Sequence, residues 1–255
     1  MNEGVFFYTD DFQQYNLGPH HPLKPARLRR TYELLESYGA FAKVAVENPR
    51  PCSQEDLLTT HSPEFVEVVD RLSAGQHVPF PHIYGFGTGD NPVFPGMWEA
   101  SLLYTGASVD AAQAVMDGRG RAAMNISGGL HHAHYARAAG FCVFNDCAVA
   151  IHRLRRKFAR IAYIDLDVHH GDGVQEAFYD DPTVLTISIH ETGRTLFPGT
   201  GFVNEIGVRE GTGYSVNIPL WPYTNDGIWL GAWREVGLPI LKAFDPEAIC
   251  LQLGT

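Results

Sequence analysis

The stretch Ile161-Ala-Tyr-Ile-Asp-Leu-Asp-Val-His-His-Gly-Asp-Gly173 decides how the rest of the chain is read. Its apolar, partly β-branched start and its Gly-Asp-Gly close predict a buried strand, a turn, and a helix starting near Val174. Side chains alternate along a strand, which predicts Asp165, Asp167 and His169 on one face if the extended geometry persists. An Asp-rich turn is most often a loop of capping carboxylates. Here Asp165, Asp167, His169, His170 and Asp172 all follow a buried strand, and such groups need partners or a metal to offset desolvation. Carboxylate oxygen and imidazole nitrogen suit Zn²⁺, which in catalytic sites takes three protein ligands and keeps one position open.

A second cluster lies upstream. Asn125-Ile-Ser-Gly-Gly-Leu-His-His-Ala-His134 follows the apolar segment Ala122–Met124. The double glycine predicts a tightly folded backbone that aims the imidazoles into a cavity. A His-His pair alone is more often a surface or core feature than a catalytic one. Combined with a metal-binding turn, it supplies the base that metal-assisted hydrolysis requires. Neutral histidines need orienting partners, and the surplus carboxylates Asp165 and Asp172 are candidates.

Working outward, short apolar runs predict strands at 5–8, 43–46, 122–126, 161–166, 184–189, 214–218 and 248–253. Helices are predicted at 26–38, between Ser62-Pro63 and Gly75, and at 97–116, 145–157, 174–179 and 226–244. Strands alternating with helices predict an α/β fold whose mostly parallel sheet is covered on both faces. Such sheets bind ligands beyond the carboxyl ends of their strands, where both His/Asp clusters fall. With 255 residues, 45% of them hydrophobic, and no linker or repeat, the chain reads as a single domain over 1–255. The Pro-, Gly- and His-rich segment from Gly75 to Gly96 lacks periodicity and reads as a long functional loop.

A formal charge of −10 without a coherent basic surface argues against nucleic acid as a partner. Arg153-Leu-Arg-Arg-Lys157 reads as a solvated helix face near the negative end of its dipole. Cys52, Cys142, Cys147 and Cys250 have no framework spacing and read as reduced thiols of a cytoplasmic protein. The N-terminus reads as a first strand rather than a leader, and no apolar run is long enough to span a membrane.

Four segments together resemble the zinc-dependent histone deacetylases, in order and spacing, over nearly the whole chain. These are Ser127-Gly-Gly-Leu-His-His132, Gly140-Phe-Cys-Val-Phe-Asn-Asp146, Ile164–Gly173 and Phe197-Pro-Gly-Thr-Gly201. His21-Pro-Leu-Lys-Pro-Ala-Arg27 resembles an early loop of the same family, and Gly87-Thr-Gly-Asp-Asn-Pro92 its bacterial acetoin utilization branch. The resemblance implies a three-layer α/β/α fold of the arginase/deacetylase kind and removal of acetyl groups from lysine side chains. It implies Asp167 and His169 as zinc ligands, and His132 as general base and acid partnered by Asp172. His131 becomes the second active-site histidine, partnered by Asp165. Phe141 and Phe197 become aromatic walls of an acyl-lysine tunnel faced by the Gly140 carbonyl. Asp90 becomes a rim carboxylate gripping the substrate backbone, and Arg27 lies at an inner channel for acetate. A K⁺ or Na⁺ site is implied at Asp165, Asp167, His169, Ser188 and Ile189, and a second at Phe178, Asp181, Val184 and Tyr214. By analogy, the acetoin utilization branch points to an acetylated protein such as an acyl-CoA synthetase as substrate.

In the family, the residue that follows the Ile249–Thr255 stretch is an aspartate, the third zinc ligand, and a catalytic tyrosine lies later. Both are therefore expected beyond Thr255, and the 255 residues alone are expected to bind zinc more weakly than a complete site and to be nearly or wholly inactive. An acetylpolyamine amidohydrolase and an inactive, deacetylase-like binding module are the alternatives. A two-manganese, arginase-type site would need a carboxylate where Gly171 stands.

Overall fold

A computed structural model describes residues 3–87 and 89–254, and resolves two compact units, Met1–Arg153 and Leu154–Thr255. The first unit runs through β1 (Gly4–Phe7), α1 (Ala26–Ser37), β2 (Val44–Glu47), α2 (Gln54–Leu57), α3 (Pro63–Ser73), α4 (Met97–Met116), β3 (Ala122–Asn125) and α5 (Asp146–Leu154). Its strands form a parallel sheet in the order β2-β1-β3. β1 is central and buried at every position, as expected of a parallel strand flanked on both edges and covered on both faces. α3 begins where the sequence predicts: the Ser62 hydroxyl accepts the Phe65 N–H and Pro63 takes the first turn. It buries Phe65, Val66, Val69 and Leu72 in a core shared with Phe86, Tyr104 and Phe144.

The second unit contains β4 (Ile161–Asp165), α6 (Asp172–Ala177), β5 (Val184–Glu191), β6 (Ser215–Leu220), α7 (Asp226–Ala232), α8 (Leu238–Phe244) and β7 (Ala248–Gln252). Its sheet is parallel, in the order β6-β5-β4-β7. Leu185, Ile187 and Ile189 on β5 form its apolar centre, against which Trp229, Trp233, Ile240 and Phe244 pack.

All the predicted strands form, within two residues at each end. Three readings need correction. The helix after the Asp- and His-rich stretch starts at Asp172 rather than near Val174, and the Asp172 carboxylate accepts the Gly173 N–H in its first turn. The predicted 226–244 helix is interrupted by a π turn at Trp233–Gly237, where the Trp233 ring lies against Gly237. Arg153 is not on a solvated face: its guanidinium donates two hydrogen bonds, 2.7 and 2.6 Å, to the buried Asp56 carboxylate. The loop expected from Gly75 to Gly96 is present, with a 3₁₀ turn at Pro81–Tyr84. Among the described residues no helix is long and apolar enough to cross a membrane. All four cysteines are free thiols.

Candidate active site

In the first unit, the chain leaves β3 and turns back on itself. Asn125 holds this turn: its amide donates to the Tyr104 carbonyl (2.8 Å) and the Ser108 hydroxyl (2.9 Å), while its oxygen accepts the Ser127 N–H (2.9 Å). The next three residues wrap the carboxylate of Asp146, the first residue of α5. That carboxylate accepts the Gly129 N–H (3.0 Å), the Leu130 N–H (2.7 Å) and the Ser108 hydroxyl (2.5 Å). A Cβ at Gly128 would collide with the same carboxylate oxygen, so only glycine fits there. Burial pushes the Asp146 carboxyl up, and the donors it accepts pull against that rise.

His131 and His132 follow at once. Both are buried, with ring centroids 4.0 Å apart. Asn145 secures the backbone behind them, donating to the Ala133 carbonyl at 2.9 Å and the His131 carbonyl at 3.4 Å. Asn145 is itself held by His61, whose Nε2 accepts the Asn145 N–H at 2.9 Å. The His61 proton therefore sits on Nδ1, donated to the His134 carbonyl at 2.9 Å. Burial lowers the pKa of His61 to about 4, which keeps it neutral. Asp146 and His61 carry this loop, yet neither stood out as functional in the sequence. Their partners lie far away in the chain, and the one available signal was the Asn145-Asp146 end of the Gly140–Asp146 segment.

The tunnel and rim candidates of this unit are also placed. Phe141 is half-buried with a left-handed backbone (φ 71°), and Gly140 beside it has φ 51°. Asp90 is exposed on the long loop, and Thr88 of the same segment lies outside the described residues. Arg27 is half-buried, its Nε has no hydrogen-bond partner among the described residues, and burial lowers its pKa.

In the second unit, β4 ends at Asp165, which is fully buried and accepts the Tyr163 hydroxyl at 2.6 Å. The single-face expectation fails beyond that point, because the strand stops and the chain bends. Asp167 and His169 are placed by a relay of turns instead. The Asp167 N–H reaches Asp165 Oδ1 (3.1 Å), and the His169 N–H reaches Asp167 Oδ1 (2.7 Å). His169 Nδ1 lies 2.9 Å from the same Asp167 oxygen. One carboxylate oxygen and one imidazole nitrogen thus lie side by side in hydrogen-bond contact, and these are donor types that fit zinc. Among the described residues, no group of three or more His, Cys, Asp or Glu side chains gathers into a metal cage. Gly254 also approaches: a Cβ there would lie 3.4 Å from Asp167 Oδ2, while Thr255 itself is outside the described residues.

Ser188 sits opposite Asp165 in the β4–β5 register, with Ile189 next along β5. For the second cation set, the carbonyls of Phe178, Asp181 and Tyr214 accept the backbone N–H groups of Asp181, Val184 and Thr186. The Asp181 carboxylate is taken by Arg155 at 2.7 Å. Phe197 is largely exposed, its ring centroid 6.3 Å from that of His169.

The loop carrying Phe197 is tied down by two buried histidines, His170 of the Asp- and His-rich stretch and His190, which the sequence did not single out. His170 Nε2 donates to Gln175 Oε1 (3.1 Å), so its Nδ1 accepts the Thr200 hydroxyl (2.8 Å). His190 Nε2 donates to the Gly201 carbonyl (2.9 Å) and its Nδ1 accepts the Ser188 hydroxyl (2.8 Å). Burial lowers both, His170 to about 4. Gly201, at φ 83°, is the hinge of this contact: a Cβ would strike His190 and lie 2.7 Å from the His170 ring. The sequence-predicted histidine pair belongs to the first unit, and Asp165, Asp167, His169 and Asp172 to the second.

In each unit, parallel strands run into turns that bear Asp or His, the end of the sheet at which α/β folds bind ligands. The model of the histone deacetylase domain matches residues 21–255. The chain belongs to the histone deacetylase family. It is 45% identical over 257 residues to the acetoin utilization protein AcuC of Bacillus subtilis (strain 168), covering 100% of this chain and 66% of that protein. Histone deacetylase B of Dictyostelium discoideum is 40% identical over 250 residues, with 98% of this chain and 59% of that protein covered. Among solved structures, an HDAC homologue from Aquifex aeolicus matches with a TM-score of 0.90 at 37% identity, covering 98% of this chain and 68% of that one. An HDAC homologue complexed with SAHA matches with the same TM-score at 36% identity, with the same coverage of both chains. The chain thus spans 66% or less of the length of these curated relatives. Its fold class is the three-layer α/β/α class, as the sequence predicts, and the strands of each unit pair in parallel.

Proposed function

We propose that this chain carries the metal-binding turn and the histidine base of a zinc-dependent amidohydrolase that removes acetyl groups from acetyl-lysine side chains of proteins. The observation that carries the reading is the Asp167–His169 donor pair, 2.9 Å apart at the end of a buried parallel strand, in a chain of this family. Asp167 and His169 would hold the zinc. When bound, zinc supplies Lewis acidity to the acetamide carbonyl and lowers the pKa of a water to about 7 in favourable sites.

The remaining work falls to this chain's own side chains. His132 takes a proton from the attacking water and returns it to the leaving lysine amine, a role typically contributing about 10²–10⁴-fold. His131 stabilises developing charge, and Asp172 and Asp165 are the carboxylates proposed to orient His132 and His131. Phe141 and Phe197 present apolar surface suited to the methylene stem of a neutral acyl-lysine. Asp90 accepts N–H groups of the substrate backbone, and Arg27 serves acetate release. Asp165, Ser188 and Ile189, and separately Phe178, Asp181, Val184 and Tyr214, are proposed as K⁺ or Na⁺ sites. An acetylated enzyme of the acyl-CoA synthetase kind, met in the cytoplasm, is the proposed substrate by analogy with the acetoin utilization relatives.

The residue assignment is tested in the full natural protein that carries this chain. His132→Ala should cut acetyl-lysine peptide turnover by about 10²-fold or more with zinc content unchanged. Asp167→Ala should lose zinc and turnover together. Equal loss of zinc in both variants would reassign His132 as a ligand, and full zinc in Asp167→Ala would remove Asp167 from the site.

A further inference from the structure

Phe141 occupies a backbone region that bulky residues avoid, and such conformations persist only where their surroundings over-determine them. The surroundings are specific. The Tyr15 hydroxyl donates to the Phe141 carbonyl at 2.6 Å. Asn91, buried, accepts the Phe141 N–H on its side-chain oxygen at 3.3 Å and donates its amide to the Cys142 carbonyl at 3.3 Å. The His21 and Phe141 rings meet in a T-shaped contact, with centroids 4.4 Å apart and planes at 80°.

His21 has a second attachment. The Leu23 N–H donates to its Nδ1 at 3.1 Å, which leaves the proton on Nε2. That nitrogen donates to the backbone carbonyl of Asp90 at 3.2 Å. One buried imidazole thus grips Asp90 through its nitrogen and Phe141 through its ring. Asn91, the next residue after Asp90, binds the Phe141 backbone directly. Further along the same loop, its carbonyl accepts the Gly87 N–H at 3.1 Å.

We propose that His21 and Asn91 are positioning residues that lock the Phe141 wall and the Asp90 rim into one rigid element, and so determine how tightly an acyl-lysine peptide is held. The proposal rests on the deacetylase reading above and adds to it two residues whose hydrogen bonds go to the backbone of Asp90, Phe141 and Cys142. Their loss acts on substrate binding, because the element they hold grips stem and backbone rather than the scissile bond.

The test uses the full natural, zinc-loaded protein. His21→Ala should raise KM for an acetyl-lysine peptide by about tenfold, the scale of a lost hydrogen bond plus a ring contact, with kcat changed less than about twofold. His21→Gln, which keeps a donor for the Asp90 carbonyl, should recover most of that loss. In an Asp90→Ala background, His21→Ala should add less than it costs alone, the remainder acting through Phe141, since coupled residues are not additive. An unchanged KM, or an equal fall in kcat and kcat/KM, overturns the proposal. Amide hydrogen exchange provides an arm independent of activity: Asn91→Ala should speed exchange at Phe141, and His21→Ala at Leu23, by about tenfold or more. Unchanged exchange overturns the clamp whatever the activity. Accelerated exchange in a protein that deacetylates nothing keeps the clamp and refutes the deacetylase reading instead.

Discussion

Replacing Asp146 with Asn tests how the His131–His132 loop is held. The side chain keeps its volume, but one of its two acceptor oxygens becomes an NH₂ donor. In the folded protein both oxygens are committed: Oδ1 to the Leu130 N–H, and Oδ2 to the Gly129 N–H and the Ser108 hydroxyl. Whichever way the amide turns, its NH₂ faces at least one backbone N–H, donor against donor. Asp146, Ser108 and Leu130 are all buried, so water cannot readily replace the lost acceptor. Hydrogen bonds to a charged group contribute about 1.5–3 kcal/mol, and a stranded buried donor costs about 1–3 kcal/mol. Removing the buried charge returns part of this, because burial already pushes the Asp146 carboxyl up. The net expectation is a loss of about 2–3 kcal/mol. Urea unfolding at neutral pH measures it as a lower midpoint at unchanged slope. Turnover should fall as well, because the displaced loop carries both histidines. If Asp146→Asn left the protein within about 0.5 kcal/mol of the parent and fully active, Asp146 would not be what holds the loop.

His61 predicts a pH dependence. Its pKa falls from 6.5 to about 4 on folding, so the unfolded chain binds the extra proton between those values. Stability is therefore fully present above about pH 6.5 and declines until about pH 4, by about 3 kcal/mol from this residue. His61→Gln should flatten that stretch of the stability-versus-pH curve, and an unaltered slope would contradict the neutral, fixed tautomer. Gly201→Ala adds a left-handed penalty of about 1–2 kcal/mol and displaces His190 from two hydrogen bonds worth about 1 kcal/mol each. Chemical denaturation should show a loss of about 3 kcal/mol or more, and a loss under about 1 kcal/mol would mean that the His170–His190 packing tolerates a side chain there.

Much of the fold was legible because parallel strands write themselves as continuous apolar runs. Ile161–Ile164 and Val184–Ile189 have few other readings. The clusters beyond β3 and β4 were legible because His and Asp repeat there within a few residues. Contacts between distant segments were not. His61 is a lone histidine before Ser62-Pro63, and only the fold brings it to Asn145 and His134. His190 reads as part of an apolar strand until Gly201 returns to meet it. The short α2 could have been found: Ser53-Gln-Glu-Asp56 is a capping pattern, and the Ser53 hydroxyl accepts the Asp56 N–H at 3.1 Å. The extended-strand rule failed at Asp167 and His169 because it assumes that the pleat continues. There the Asp165 and Asp167 carboxylates capture backbone N–H groups and bend the chain.

Deacetylation of an acetyl-lysine peptide by the full natural protein, followed through zinc removal and restoration, tests the central claim most directly. Metal-free protein should lose turnover, and addition of about one equivalent of Zn²⁺ should restore it. Turnover that persists without metal, or a zinc-replete, folded protein that leaves the acetyl group in place, would contradict the assignment.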